Sequence, residues 1–577
     1  MRAIFLATTA VLMMAGAYAS ADADLRALYT GEWSWRVAEF ADDEDNTLPV
    51  PDRLPRVDAK TQAAHLSHWQ DVLAKLDAIP ARDLSAKEKV NAEVFRFQIE
   101  SLIADQKFRG YEMPANSDSN FWGDFGYRAR RPFRSLDDYR AWIAQMDALP
   151  RYFAENIANM RVGLARGFTP PRVTLEGRSG SILAVANAKP EESVFFEPFK
   201  TMPASVPADE QSRLRAAALK VIAEKVQPAY RDLAAFWDKE YVPHTRATLA
   251  AEKLPDGKAY YRAQIREYAT LDKSPDEIHR IGLTEVAKLH AEMEAVMRET
   301  GFKGDFAAFL KFLRTDPQFY ATTPQGLLDR AAWTAKEFDG KAALYFGLLP
   351  RSRFAIRPVP DDIAPFYTSG RGGPGEYLVN TYKLSSRPLY SLTALTLHES
   401  APGHAFQIPL ASEDATLPDF RRHSYISAYG EGWALYSEWL GQEMGMYHTP
   451  YDRFGMLSYQ VWRAARLVVD TGLHAKGWSR AQAIAYFRDN TALPEHEIDT
   501  EVDRYITWPG QATSYYLGEM AVRAARTKAE TALGAKFNIR AFHDTVLQLG
   551  SVPLPVLDRA IDTFIADGGK GPYPDLE

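Results

Sequence analysis

Helical patterning dominates the chain. Val286, Leu289, Met293 and Val296 recur at alternating three- and four-residue spacing, which predicts a helix buried on one face. Just ahead of them, Ser274-Pro275-Asp276-Glu277 offers a capping serine, a proline at the first helical position and a glutamate three residues on. Gly301 then closes the helix. Ser135 with Asp138, and Ser479 with Gln482, predict two more helix starts of the same kind. Leu435, Glu438 and Trp439 continue a helix that begins near Glu431. Strand signals are few; the clearest is Glu376 to Tyr382 (EYLVNTY), bounded by a glycine-rich stretch. The pattern predicts a mainly α protein with an N-terminal helical lobe over residues 20–270 and a second lobe over residues 271–577. That boundary is soft, and a small β element accompanies the second lobe.

Length and composition narrow the class. The 577 residues are enough for a large core and two lobes. The formal net charge of −7 is spread over mixed charges and lacks the basic face that a nucleic-acid binder would need. Arg128, Arg130, Arg131 and Arg134 form one short basic cluster, which in an acidic chain reads as a solvated or ion-paired face. Residues 1–19 read as a secretory signal: Arg2, an apolar run from Ile4 to Met14, then Ala17-Tyr18-Ala19 as a cleavage site. The apolar run is too short to span a membrane comfortably, and no other stretch of about twenty apolar residues appears. The expected location is periplasmic or secreted, with no integral membrane segment after cleavage. Zero cysteines exclude disulfides, thiolate ligands and cysteine nucleophiles.

The densest chemistry lies in His398-Glu399-Ser400-Ala401-Pro402-Gly403-His404 and in Glu431-Gly432-Trp433-Ala434-Leu435-Tyr436. Two histidines, an adjacent glutamate and a downstream glutamate are the parts of a Zn²⁺ hydrolase: three protein ligands leave a fourth position for water. Glu399 is then placed to accept the proton of that water. The spacing is unusual. Six residues at about 100° each leave His404 roughly 120° away from His398 around a regular helix. Pro402 and Gly403 supply a remedy, because proline breaks the helix and glycine permits unusual dihedrals. The third ligand comes from Glu431 or Glu438, seven apart and able to share a helix face. The second of the pair would otherwise orient a ligand histidine.

Other candidates are weaker alone. His474 could donate to a substrate or to an oxyanion, with Asp470 orienting it if the helix continues past Gly472. Arg466 and Arg504 could bind a carboxylate, although ion pairing within the fold is the commoner use. Gly370-Arg371-Gly372-Gly373-Pro374-Gly375 has the glycine spacing of a dinucleotide site, but a strand-like run follows it where a helix is required. A cleft loop feeding an edge strand at Glu376–Tyr382 fits better, and such a strand could pair with a peptide backbone. No Gly-x-Ser-x-Gly elbow is present.

Leu397–Gln407 (LHESAPGHAFQ), Glu431–Tyr436 (EGWALY), Arg466–His474 (RLVVDTGLH) and Pro509–Tyr515 (PGQATSY) together resemble the bacterial DUF885 family, as does Gly163–Glu176 (GLARGFTPPRVTLE). That family is similar to distant relatives of the gluzincin metallopeptidases. The resemblance favours Glu431 as the third ligand, 27 residues after His404, and places Tyr515 as the oxyanion donor. It implies a large, helical, two-lobed metallopeptidase-like fold whose β element borders the active-site cleft, with residues 271–577 as the zinc-binding lobe. The family often carries a further histidine where this chain has Ala405, and many members are lipoproteins, a route closed to a chain without cysteine. The expected function is a zinc metallopeptidase acting on peptides, with His398, His404 and Glu431 on the metal, and Glu399, Tyr515 and His474 as candidate catalytic groups. The alternatives are a zinc hydrolase of another amide or ester, or a non-catalytic periplasmic binding protein. Oligomeric state is not legible.

Overall fold

A computed structural model describes residues 2–40, 49–117, 119–361 and 363–572; side chains of residues 2–19 and of residue 366 lie outside the description. The fold is mainly α, and among the described residues it carries one small three-stranded sheet. Two compact units are distinguished: residues 1–249 with 253–257, and residues 250–252 with 258–577.

The first unit opens with helix α1 (Arg2–Phe40). The expected signal segment, residues 1–19, lies at its start, where the side chains fall outside the described residues. Helix α2 (Leu136–Arg166) begins as the Ser135–Asp138 pair predicts, with a reciprocal capping box, and ends at Gly167 in the left-handed region. Its inner face joins an aromatic core in which Trp122 meets Trp237 edge-on at 5.0 Å and Phe153 meets Tyr230 at 4.9 Å.

The second unit carries the motif residues. Helix α3 (Pro275–Glu299) has the capping box of Ser274 and Glu277, and it buries Val286, Leu289, Met293 and Val296 as their spacing predicts. Three four-residue strands follow: β1 (Ala355–Pro358), β2 (Gly370–Gly373) and β3 (Glu376–Val379). Their order is β1-β3-β2, with β1 parallel and β2 antiparallel to β3. This corrects the expectation of an edge strand at Glu376–Tyr382. That strand is central and shorter, and the glycine run before it is itself the edge strand. The ladder stops at Asn380, whose side chain donates to the carbonyls of Ala364, Tyr367 and Thr368.

Helices α4 (Leu389–Glu399), α5 (His404–Glu413), α6 (Ser427–Glu443), α7 (Pro450–Ala475), α8 (Glu495–Thr507) and α9 (Ser514–Leu533) complete the frame. Helix α7 is buried along nearly its whole length; α3 and α4 pack against it, while α6 packs against α9. The motif helices α4 and α6 are therefore held from behind by buried elements. Among the described residues no helix is long and apolar enough to cross a membrane.

The α3 cap gives a local test of this frame. Ser274→Ala removes the acceptor for the Glu277 amide, a loss of about 1 kcal/mol of helix-start stability. Hydrogen exchange in the first turn of α3 should accelerate roughly fivefold, with the rest of the unit unchanged. Unaltered exchange at Glu277 would show that the cap is idle.

Candidate metal centre

The site begins with a break in a helix. Helix α4 ends at Glu399, α5 starts at His404, and residues 400–403 turn the chain between them. Ser400 leaves helical dihedrals at φ −97° and ψ −116°, and the Ala401–Pro402 peptide is cis. The Gly403 amide reaches back to the Leu397 carbonyl at 3.0 Å. A Cβ on Gly403 would stand 1.8 Å from the His398 carbonyl oxygen, so the fold-back requires glycine there. Trp433, fully buried on α6, donates from Nε1 to the Pro402 carbonyl at 2.8 Å and pins the turn. The result is that the His398 and His404 rings lie 4.9 Å apart and perpendicular.

Glu431, from the first turns of α6, completes the group. Its Oε2 lies 3.4 Å from Nε2 of His398 and 3.4 Å from Nε2 of His404. One donor atom from each of the three residues falls within 4.8 Å of the other two, so the set could hold a metal ion. Two imidazoles and a carboxylate are the donors that Zn²⁺ prefers, and three of them leave a further position open. Glu438, two helical turns beyond Glu431 and fully buried, accepts from Nδ1 of His398 at 2.7 Å. That bond puts the Nδ1 proton on the carboxylate side and points Nε2 at the shared centre.

The electrostatics follow from this crowding. Burial would lower the His398 pKa, but Glu399, Glu431 and Glu438 outweigh it and raise it to about 10. Burial pushes Glu431 up, while His404 and His398 override it and hold the carboxyl well below the usual range. Positive charge is thus strongly favoured at the point where the three side chains meet.

Glu399 stands beside this point. One carboxylate oxygen is 4.0 Å from His398 Nε2, and the other accepts from the Gly372 amide of the edge strand β2 at 2.7 Å. Tyr515 approaches from α9: its ring stacks 6.4 Å from that of His398, and the Arg466 guanidinium sits 4.3 Å over its ring. Its Oη accepts from Arg504 Nη2 at 3.1 Å and from Gln511 Nε2 at 3.4 Å. The neighbouring Tyr516 turns elsewhere and donates to Glu285.

The structure does not bring His474 into the three-donor group. Its Nδ1 accepts from the Ala251 amide at 3.1 Å, and its Nε2 donates to the Tyr505 carbonyl at 2.8 Å. Asp470 accepts from Tyr261 and from the Gly510 amide. Arg466 is buried and bonded to Tyr505 and Glu501, and Arg504 lies 3.6 Å from the same Glu501. Sequence reading missed Tyr425, in the loop before α6, whose ring lies 6.1 Å from that of His404. A lone tyrosine in a polar loop has no periodicity to mark it.

The sequence profile of DUF885, described as a bacterial protein of unknown function, matches residues 41–561. No curated protein matches this chain. Among solved structures, a candidate lipoprotein from Colwellia psychrerythraea is similar at 26% identity and a TM-score of 0.87, covering 96% of this chain and 100% of that one. A second candidate lipoprotein, from Shewanella oneidensis, is similar at 17% identity and a TM-score of 0.64, covering 93% and 98%. That second likeness is one of fold alone.

Glu438 is the support that can be tested without a ligand. Its Oε1 serves His398 and also lies 3.6 Å from Arg463, which is itself buried. Glu438→Ala should cost about 3–5 kcal/mol in denaturant unfolding, because it strands a buried cation. Glu438→Gln, which can still accept from His398, should cost clearly less. Equal stability of the alanine variant and the parent would remove Glu438 from this role.

Proposed function

The chain belongs to the DUF885 family, and we propose that it is a zinc-dependent hydrolase, specifically a metallopeptidase. The observation that carries this reading is the convergence of His398, His404 and Glu431 within 4.8 Å, with the carboxylate of Glu399 at its edge. A site that only stored a metal would have no use for a carboxylate held beside the ligands. Bound zinc would supply Lewis-acid chemistry, polarising a carbonyl and bringing a water's pKa to about 7.

The protein groups take defined parts in this proposal. His398 (oriented by Glu438), His404 and Glu431 would hold the ion. Glu399, fixed by the Gly372 amide, takes the proton of the attacking water and passes it to the leaving amine. Tyr515 donates to the developing oxyanion. A phenol has one proton, and the Tyr515 oxygen already accepts two hydrogen bonds, from Arg504 and Gln511. Its proton is therefore free for a third partner.

Peptide substrates are favoured by the strand beside the site. Strand β2 is an edge, paired on one side with β3, and its Gly372 amide points at Glu399. An extended peptide added along that edge would run past the general base. Export is supported by the signal-like first 19 residues and by the lipoprotein descriptions of both structural neighbours. With no cysteine in its sequence, the chain has no thiol for lipid attachment.

The purified protein should carry about one zinc, and His404→Ala should lose most of it. Glu399→Gln should keep the zinc and the fold but lose peptide hydrolysis by a factor on the order of a hundred or more, since an amide cannot take the proton. Metal analysis with a peptide-library digest checks both. Parental turnover in Glu399→Gln sinks the assignment of the base.

Tyr515→Phe should lower kcat by on the order of a hundredfold with little change in KM or zinc content. Tyr516→Phe, whose hydroxyl serves Glu285, should be much milder. A loss confined to KM would move Tyr515 from the oxyanion to the substrate groove.

A further inference from the structure

Tyr425 is the large side chain at the metal centre that the preceding reading leaves without a task. It lies between the short helix Asp419–Arg422 and the start of α6. Its ring meets that of His404 at 6.1 Å, with the planes inclined at 66°. The hydroxyl end lies across Gly430, the residue before the ligand Glu431. A Cβ built on Gly430 would stand 2.3 Å from Cε2 and 2.5 Å from Oη of Tyr425. That bare position lets the phenol settle with its hydroxyl facing the Glu431 carboxylate. The rest of the ring is open, and the residue is 47% exposed.

The two tyrosines thus stand on the two imidazoles. Tyr515 stacks beside His398 and is buried, while Tyr425 stands edge-on to His404 and is half-exposed. A single exposed ring is ordinary in itself; what singles out Tyr425 is its place against His404 and Gly430. A carbonyl oxygen drawn to an ion held by the three donors would come close to Glu431, and so within reach of the Tyr425 proton that faces it.

We propose, resting on the hydrolase reading, that Tyr425 is a second catalytic phenol, which hydrogen-bonds the substrate's carbonyl oxygen from the His404 side. In the free protein its proton faces Glu431. With substrate present, the carbonyl oxygen competes for that proton better as negative charge builds on it, while a cation held by Glu431 would draw on the charge of that carboxylate and weaken it as an acceptor. The substrate oxygen is then held between two phenols, one fixed by Arg504 and Gln511 and the other by the bare backbone of Gly430.

The test needs no turnover. The full-length protein is loaded with Co²⁺ in place of zinc and titrated with acetohydroxamate, whose anionic oxygen imitates the charged carbonyl; the visible spectrum reports binding. Tyr425→Phe should weaken acetohydroxamate binding by roughly ten- to a hundredfold, with cobalt content unchanged. In peptide assays the same variant should lose kcat with KM nearly constant. Unchanged hydroxamate affinity in Tyr425→Phe overturns the proposal. So does a loss that appears in Tyr425→Ala and not in Tyr425→Phe, since it would assign the ring and not the hydroxyl. A protein that binds cobalt and shows the Tyr425→Phe effect, yet cleaves no peptide, retains the second phenol and rejects the peptidase reading. Failure to bind cobalt at all overturns both.

Discussion

Everything at the candidate centre depends on the fold-back of residues 400–403. Two histidines six residues apart cannot face one point from a continuous helix, because the helical repeat sends them to different sides. The chain meets this by ending α4 at Glu399 and beginning α5 at His404, with the Gly403 amide returned to the Leu397 carbonyl. The turn is narrow enough that no side chain fits at residue 403. It is also supplied from outside: Trp433 reaches the Pro402 carbonyl from the helix that carries Glu431 and Glu438. One buried indole therefore couples the position of both histidines to the helix that provides the carboxylates.

Behind the centre lies a set of buried charges that would be costly if any partner were missing. Glu438 lies between His398 and Arg463, and Arg466 packs between Tyr515, Tyr505 and Glu501. Satisfaction is incomplete. Glu438 Oε2, Arg463 Nη1 and Arg466 Nη1 are buried without a partner among the described residues. Burial pushes the nearby Glu519 carboxyl up to about 8, and Glu438 adds to the shift, so Glu519 is largely uncharged at neutral pH and does not add to the local negative charge. The histidines differ in support: His398 has Glu438 on its far nitrogen, whereas His404 Nδ1 is buried and unpaired among the described residues. The better supported of the two histidines is the one Tyr515 stacks on.

How far the sequence could be read follows from how local each signal is. The starts of α2 and α3 were legible because capping is a contact over three residues, and the Ser-to-acid spacing announces it. The break between α4 and α5 was legible because Pro402 and Gly403 stand between His398 and His404. The sheet was not. A glycine run reads as a loop, yet Gly372 lies in an edge strand because a Cβ there would fall 1.7 Å from the Glu399 carbonyl oxygen. That requirement belongs to a helix 27 residues away and leaves no local trace. His474 shows the opposite limit: it sits in a conspicuous motif, but the backbone groups of Ala251 and Tyr505 that occupy its ring are distant in sequence. By their contacts the two units divide between residues 249 and 258, so residues 258–269 group with the second unit.

The close approach of β2 to α4 has a chemical consequence of its own. The bond from the Gly372 amide occupies one oxygen of Glu399 and leaves the other 4.0 Å from His398 Nε2. A carboxylate held by a backbone donor cannot rotate freely, so its second oxygen keeps a fixed bearing on the donor group. The same amide lies on the outer edge of β2, so that edge is occupied by Glu399 at residue 372. In that geometry Gly372 does what no other residue could: without a side chain, the strand comes close enough to the helix for its amide to hold the Glu399 carboxylate.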